Sequence, residues 1–168
     1  MKRFLDLPFQ PRRPATCSGT TALILAILAT PAIATAQGAP LLTNPPGLVM
    51  PRGFSQVAEI PPGSRLLFLS GQVPMDSTGK IVGTGDARAQ ARQVFENLRI
   101  ALASRGASFA HVAKLTVFLK DIRDLAAFRE VRDRYIDPKS PPASSLVQVT
   151  ALVNPDFLME VELVAVVP

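Results

Sequence analysis

Apolar and polar positions repeat with two different periods along the chain, and the switches between them mark out the elements. From Phe54 to Ile60 and from Arg65 to Val73 the pattern reads as extended strand, and Pro61-Pro62-Gly63-Ser64 predicts a turn that joins the two as a hairpin. Ser77-Thr78-Gly79-Lys80 turns the chain again into a short Ile81-Val82 segment. The period then becomes helical. Ala87, Ala91, Val94, Leu98, Ala101 and Leu102 recur on one face, while Arg88, Arg92, Glu96 and Arg99 fall on the other. Asp86 is placed to cap this helix, and Gly106, just past Arg105, to stop it. Val112 to Leu119 predicts a third long strand. Asp124 is the expected cap of a second helix carrying Leu125, Phe128, Val131 and Tyr135, which Pro138 ends.

Two further strands close the chain. Leu146 to Ala151 alternates with a period of two after Pro141 and Pro142, which bar any continuing helix. Phe157 to Val167 alternates as well: Phe157, Met159, Val161 and Leu163 share one face, and Leu158, Glu160, Glu162 and Val164 share the other. One face thus carries two carboxylates among apolar neighbours. Such carboxylates can be solvated at a sheet edge, paired with a base, or poised in a cleft. The resulting order, β-β-α-β-α-β-β, predicts an α+β fold with one mixed sheet covered by two helices.

The first 36 residues change the reading of size and charge. Lys2, Arg3, Arg12 and Arg13 precede an apolar stretch from Thr20 to Ala34, and Ala34-Thr35-Ala36 is a small-residue cleavage site, the pattern of an export signal. The stretch falls short of the ~20 residues that span a bilayer, and Pro31 interrupts it. Residues 1–36 are therefore expected to be a signal peptide, giving a periplasmic or secreted protein without stable membrane insertion. The Arg12-Arg13 pair raises a twin-arginine route, but Pro14 follows it directly.

The whole chain of 168 residues carries a formal charge of +5. The leader holds four bases and one acid, so the remainder has 14 basic and 12 acidic residues and a net charge of +2. That balance lacks the dense basic patch that nucleic-acid binding needs. Cys17 is the one cysteine and lies within the leader, so the rest has no thiol chemistry. Residues 37–52, rich in proline and glycine, read as an extended arm without regular structure. His111 is the single histidine and stands just before a strand, where a capping or turn role is expected rather than a catalytic or metal-binding one. Gly79, Gly83 and Gly85 lack the spacing and lysine of a phosphate loop.

Several segments together resemble the RidA/YjgF family, also called the L-PSP endoribonuclease family, over residues 53–168. They are Gly53-Phe54-Ser55-Gln56, Ser70-Gly71-Gln72-Val73-Pro74, Gln90 to Leu98, Lys114 to Asp121, Pro142-Ala143-Ser144-Ser145, and Glu160-Val161-Glu162. The resemblance implies a chorismate-mutase-like fold, a homotrimer with clefts between subunits, no metal or organic cofactor, and hydrolysis of reactive imines and enamines to ketones and ammonia. Position by position, it puts the family's cleft tyrosine near Phe54, its cleft serine on Ser70 with Gly71 beside it, and its water-positioning glutamate on Glu160. It puts a family asparagine on Arg129 and the substrate-gripping arginine on Ser144.

Phenylalanine keeps the aromatic wall but loses a hydroxyl donor, and serine cannot hold a carboxylate as a guanidinium does. Arg129 is a candidate to supply the missing cation, with Arg132 one helical turn away. The simpler expectation is a solvated face on which Arg129 pairs with Asp133 at i+4. The single histidine and modest charge argue against ribonuclease chemistry. The sequence therefore supports a small-metabolite-binding trimer with possible imine or enamine deaminase activity. The alternatives are a non-catalytic ligand-binding or chaperone-like trimer, and a hydrolase of a non-carboxylate substrate.

Overall fold

The computed structural model describes residues 38–167. The signal-peptide expectation for residues 1–36 lies outside the described residues. The main sheet has four strands in the order β3-β6-β4-β5, where β3 is Arg65–Gln72, β4 Val112–Leu119, β5 Ala143–Gln148 and β6 Met159–Val167. β6 runs antiparallel to both β3 and β4, and β4 runs parallel to β5, so the sheet is mixed. Helix α1, Ala87–Ala103, links β3 to β4, and α2, Leu125–Arg132, links β4 to β5. Each connection joins strands that run the same way, which requires a crossover and explains why the helices fall where they do.

Both helices pack on one face of the sheet. Val94, Phe95, Leu98 and Leu102 of α1 and Phe128 and Val131 of α2 bury against Leu115, Val117 and Leu119 of β4 and Met159, Val161, Leu163 and Ala165 of β6. Strand alternation sends the intervening residues to the opposite face. There Phe68 is 75% exposed, Leu66 and Val147 are exposed, and Phe118, Glu160 and Val164 are half-buried. At the seam between the helices Phe95 stacks on Tyr135 at 5.1 Å and packs near Phe109 and Phe128 at 5.7 and 5.8 Å.

Asp86 caps α1 as expected, its Oδ1 accepting from the Arg88 and Ala89 amides at 2.9 and 3.1 Å, and Gly106 adopts φ +73° just beyond the end. His111 is in the expected turn role: it closes a 3-10 turn, Phe109–His111, with Nδ1 accepting from the Ser108 amide at 3.1 Å.

Three expectations need correction. The Phe54–Ile60 segment does not form a hairpin with β3. Its core, β2 (Val57–Glu59), pairs antiparallel with β1 (Leu41–Thr43), a strand in the arm for which no regular structure is expected from sequence. Pro61 and Pro62 lack amide donors and cannot extend a ladder toward β3, whereas Leu41 to Thr43 lies free of proline between Pro40 and Pro45. Asp124 makes no side-chain cap to α2. Asp121 caps the preceding 3-10 turn, Ile122–Asp124, through the Arg123 amide at 2.8 Å. Finally, α2 ends at Arg132, so Tyr135 packs from the turn beyond it.

Candidate functional site

The two ends of the candidate site are held by different devices. On the β5 side, Ser55 is buried and donates its amide to the Pro142 carbonyl at 3.0 Å and its hydroxyl to the Pro141 carbonyl at 2.6 Å. This bridge docks the arm against the start of β5. Gly53, at φ +81°, donates nothing here but accepts at its carbonyl from Arg132 Nη1 at 3.2 Å. The left-handed backbone at Gly53 favours glycine, and a Cβ there would also press on the Arg132 guanidinium, 2.9 Å from Nη2. Phe54, fixed between these anchors, forms one wall of a cavity of about 300 Å³. Phe128 and Leu146 supply its apolar lining, Ser144 a hydroxyl, and Arg52, Arg129 and Arg132 its charge.

On the β3 side, Ser70 is exposed on the face away from the helices, since its neighbour Leu69 pairs with the core residue Leu163. The β3–β6 register shifts between Leu69 and Gln72. There the Glu160 carboxylate lies in the space that a side chain at 71 would occupy: a Cβ on Gly71 would fall 1.8 Å from Glu160 Oε1. Glu160 is half-buried, and among the described residues no hydrogen bond or ion pair engages its carboxylate. It pairs in register with Phe118.

Register separates the six predicted site residues into two groups. Ser144 pairs with Leu115 and therefore faces the helices, together with Phe54 and Arg129. Glu160 is on the opposite face with Ser70, and Gly71 beside it. Ser144 lies on the edge strand β5, whereas Ser70 and Gly71 lie on β3, the opposite edge, and Glu160 on the inner strand β6 beside it. Among the described residues no group of three or more His, Cys, Asp or Glu is arranged to hold a metal.

The expected Arg129–Asp133 pair is absent among the described residues. Asp133 accepts instead from Arg132, at 2.8 Å from Nε and 2.7 Å from Nη2. Arg132 lies nearer because its side chain is tucked down, 13% exposed, toward Gly53. Sequence reasoning also missed two positioning residues. Gln90 is fully buried, with Nε2 donating to the Asp156 carbonyl and Oε1 accepting from the Leu158 amide, both at 2.8 Å. It fixes the entry to β6 two residues before Glu160. Asn97 donates from Nδ2 to the Val73 and Met75 carbonyls at 3.1 and 2.9 Å and so holds the exit of β3. A polar residue on the apolar stripe of α1, beside Ala91 and Val94, was the available signal for Gln90.

Sequence and structure converge on one class. The family model described as Endoribonuclease L-PSP matches residues 51–167, and the chain belongs to this family, the RidA/YjgF family. It is 35% identical over 125 residues to the 3-aminoacrylate deaminase RutC of Acinetobacter baylyi, covering 72% of this chain and 98% of that protein. A RutC family protein of Pyrococcus horikoshii is 39% identical over 116 residues, covering 68% of this chain and 90% of the relative. Among solved structures, a Rid-family protein of unknown function from Yersinia pestis superposes with a TM-score of 0.68 at 33% identity, covering 76% of this chain and 98% of that one.

Proposed function

We propose that the protein hydrolyses the C=N bond of small reactive imines, or the imine tautomers of enamines, in clefts completed by a second copy of the chain within a homotrimer. The observation that carries this reading is the Glu160 carboxylate, seated against Gly71 without a side-chain partner on the open sheet face. A carboxylate so placed can accept a proton from water as the water oxygen attacks the imine carbon. That proton passes to the nitrogen to give a carbinolamine, whose hydroxyl proton is then relayed to the amine as the C–N bond breaks; a ketone and ammonia leave, and water supplies the ketone oxygen and two hydrogens of the ammonia.

Similarity to a 3-aminoacrylate deaminase supports this chemistry. Self-association is supported by the exposed Leu66, Phe68 and Val147, which give the open face apolar surface to bury. It is supported further by the two groups of site residues on opposite faces of the sheet, which one chain cannot bring into a common cleft by strand register. A nuclease reading has no comparable support, since the single histidine is engaged by Ser108. The basic and apolar leader supports an exported protein, which cell fractionation with and without residues 1–36 tests.

Ammonia release from freshly generated 2-iminobutanoate, compared between the native protein and Glu160→Gln, tests the chemistry. Turnover abolished by Glu160→Gln is the expected result, and equal turnover in the variant overturns the assignment. A trimer in analytical ultracentrifugation is expected, and a monomer at micromolar concentration contradicts the shared cleft. Ser144 gives weight to a second reading, a binding trimer without turnover, because a neutral hydroxyl holds a substrate carboxylate weakly.

A further inference from the structure

We propose that the apolar tip of the arm, Leu48-Val49-Met50, docks into a groove beside α1 of a second copy of the chain, and that this contact sets the Phe54 half of the site against the Gly71 half. The inference rests on the homotrimer reading above and goes beyond it by naming the surfaces that meet. All three tip residues are exposed, Val49 by 86%. The loop that carries them is tied down by Gln56, which donates its amide to Asn44 Oδ1 at 2.9 Å and its Nε2 to the Val49 carbonyl at 3.0 Å. Gly47 turns the chain there at φ +92°. The tip is thus held in place before it meets a partner, so its burial costs little conformational freedom.

The groove, of about 780 Å³, lies between α1 and the segment that leaves β3. Its apolar lining comes from Val73, Met75, Ile100 and Ala101, and Ile100 is exposed on α1. Most of its polar side chains are already engaged. Asn97 donates to the Val73 and Met75 carbonyls and accepts from Gln93 Nε2 at 2.8 Å. The Ser104 hydroxyl donates to the Ala101 carbonyl at 2.7 Å, and the Asp76 carboxylate accepts from the Thr78 and Lys80 amides at 2.9 and 3.0 Å. A groove with its polar groups so committed favours an apolar guest over an ionic one.

Two observations make that guest a second copy. No residue of the arm lines the groove within its own chain, so one molecule leaves both its tip and its groove open. The two surfaces also adjoin the separated halves of the site: Met50 stands four residues before Phe54, and Gly71, which seats Glu160, forms part of the groove wall. A tip in the next copy's groove brings those halves together, which strand register within one chain does not. Tip and groove are different surfaces, so the contact is heterologous and runs head to tail, and three such contacts close a ring.

Cysteine cross-linking of the full chain tests the contact, in a Cys17→Ser background that removes the native thiol. Val49→Cys combined with Ile100→Cys changes two exposed positions and leaves the core untouched. Treated with the short cross-linker bismaleimidoethane, the double variant is expected to give covalent dimers and trimers on denaturing gels, and each single variant only monomers. As a second measurement, Leu48→Ser, Val49→Ser, Met50→Ser is expected to raise the trimer dissociation constant in sedimentation velocity by about tenfold or more, the scale of one lost apolar side-chain burial.

No inter-chain product from the double variant, equal product from either single variant, or unchanged association in the serine variant overturns the inference. Capture of the protein, not cross-linked, by vesicles of anionic phospholipid in a tip-dependent way would overturn it too, by giving the tip to a lipid surface. Cross-linked trimers that release no ammonia from imines sink the deaminase reading and leave the contact standing. Glu160-dependent turnover by a trimer whose double variant does not cross-link does the reverse.

Discussion

Substituting Gly71 by alanine is a one-carbon test of whether the seat of Glu160 matters. The added Cβ would fall 1.8 Å from Oε1, 2.7 Å from Cδ and 2.9 Å from Cγ of Glu160. Ordinary van der Waals contact begins at 3.4 Å, so Oε1 must retreat by about 1.6 Å. The obstructing atoms are the end of a half-buried side chain, which can swing into solvent without moving β3 or β6. Gly71 has no positive φ, so alanine adds little backbone strain. The cost to stability should therefore be below about 1 kcal/mol, within the range of ordinary surface changes or slightly above it.

Catalysis should suffer far more, because misplacing a catalytic group by about 1 Å can cost 10²-fold. We expect kcat/KM for ammonia release from 2-iminobutanoate to fall about 100-fold, with a melting temperature within a few degrees of the native value. The double variant Gly71→Ala, Glu160→Gln should lose little beyond Glu160→Gln alone, since both act through one carboxylate. Native-like kcat/KM in Gly71→Ala would refute the argument, and a large fall in melting temperature would show that the backbone yields instead of the side chain.

Gln90→Leu leaves the Asp156 carbonyl and the Leu158 amide without their partner; urea unfolding should show a loss of about 2–4 kcal/mol, the cost of two unsatisfied buried groups. Glu96 is held below its ordinary carboxyl value by the Tyr135 hydroxyl, which donates at 2.8 Å, and secondly by Arg99. A lowered folded-state value means that this contribution is present above pH 4.5, the ordinary value, and is lost as pH falls through the folded one. Tyr135→Phe should accordingly destabilise the protein at pH 7 and narrow its difference from the native protein toward pH 3, which melting curves across that range check. Ser144→Arg, which adds a guanidinium to the cavity beside Phe54, should speed ammonia release from 2-iminobutanoate by holding its carboxylate; an unchanged or lower kcat/KM would count against a role for position 144 in substrate binding.

Local signals carried most of the secondary structure. Asp86 and Gly106 bracket α1 because capping depends on neighbours in sequence, and the alternation of Met159 to Leu163 fixes which face of β6 is buried. Choices between competing partners were not legible. Whether β2 pairs with β3 or with the arm is settled by which neighbour can offer amide donors in register, and the short run Leu41–Thr43 has too few residues to stand out. Asp133 could have served Arg129 or Arg132, and the docking of Arg132 on Gly53 decides it. Gln90 and Gly71 could be matched to family motifs, but the buried amide latch and the carboxylate lying over a bare Cα exist only in three dimensions. The largest gap was the face on which each site residue lies. Resemblance gathers Ser144 and Glu160 into clefts between subunits, and β4 register with β5 and β6 places them on opposite faces of one chain's sheet.

The most direct test of the central claim is ammonia release by the purified protein from freshly generated 2-iminobutanoate, with Glu160→Gln at equal concentration as the comparison. The account predicts turnover by the native protein that Glu160→Gln abolishes while keeping its oligomeric state. Release no faster than the spontaneous reaction, or equal release by both proteins, would contradict it.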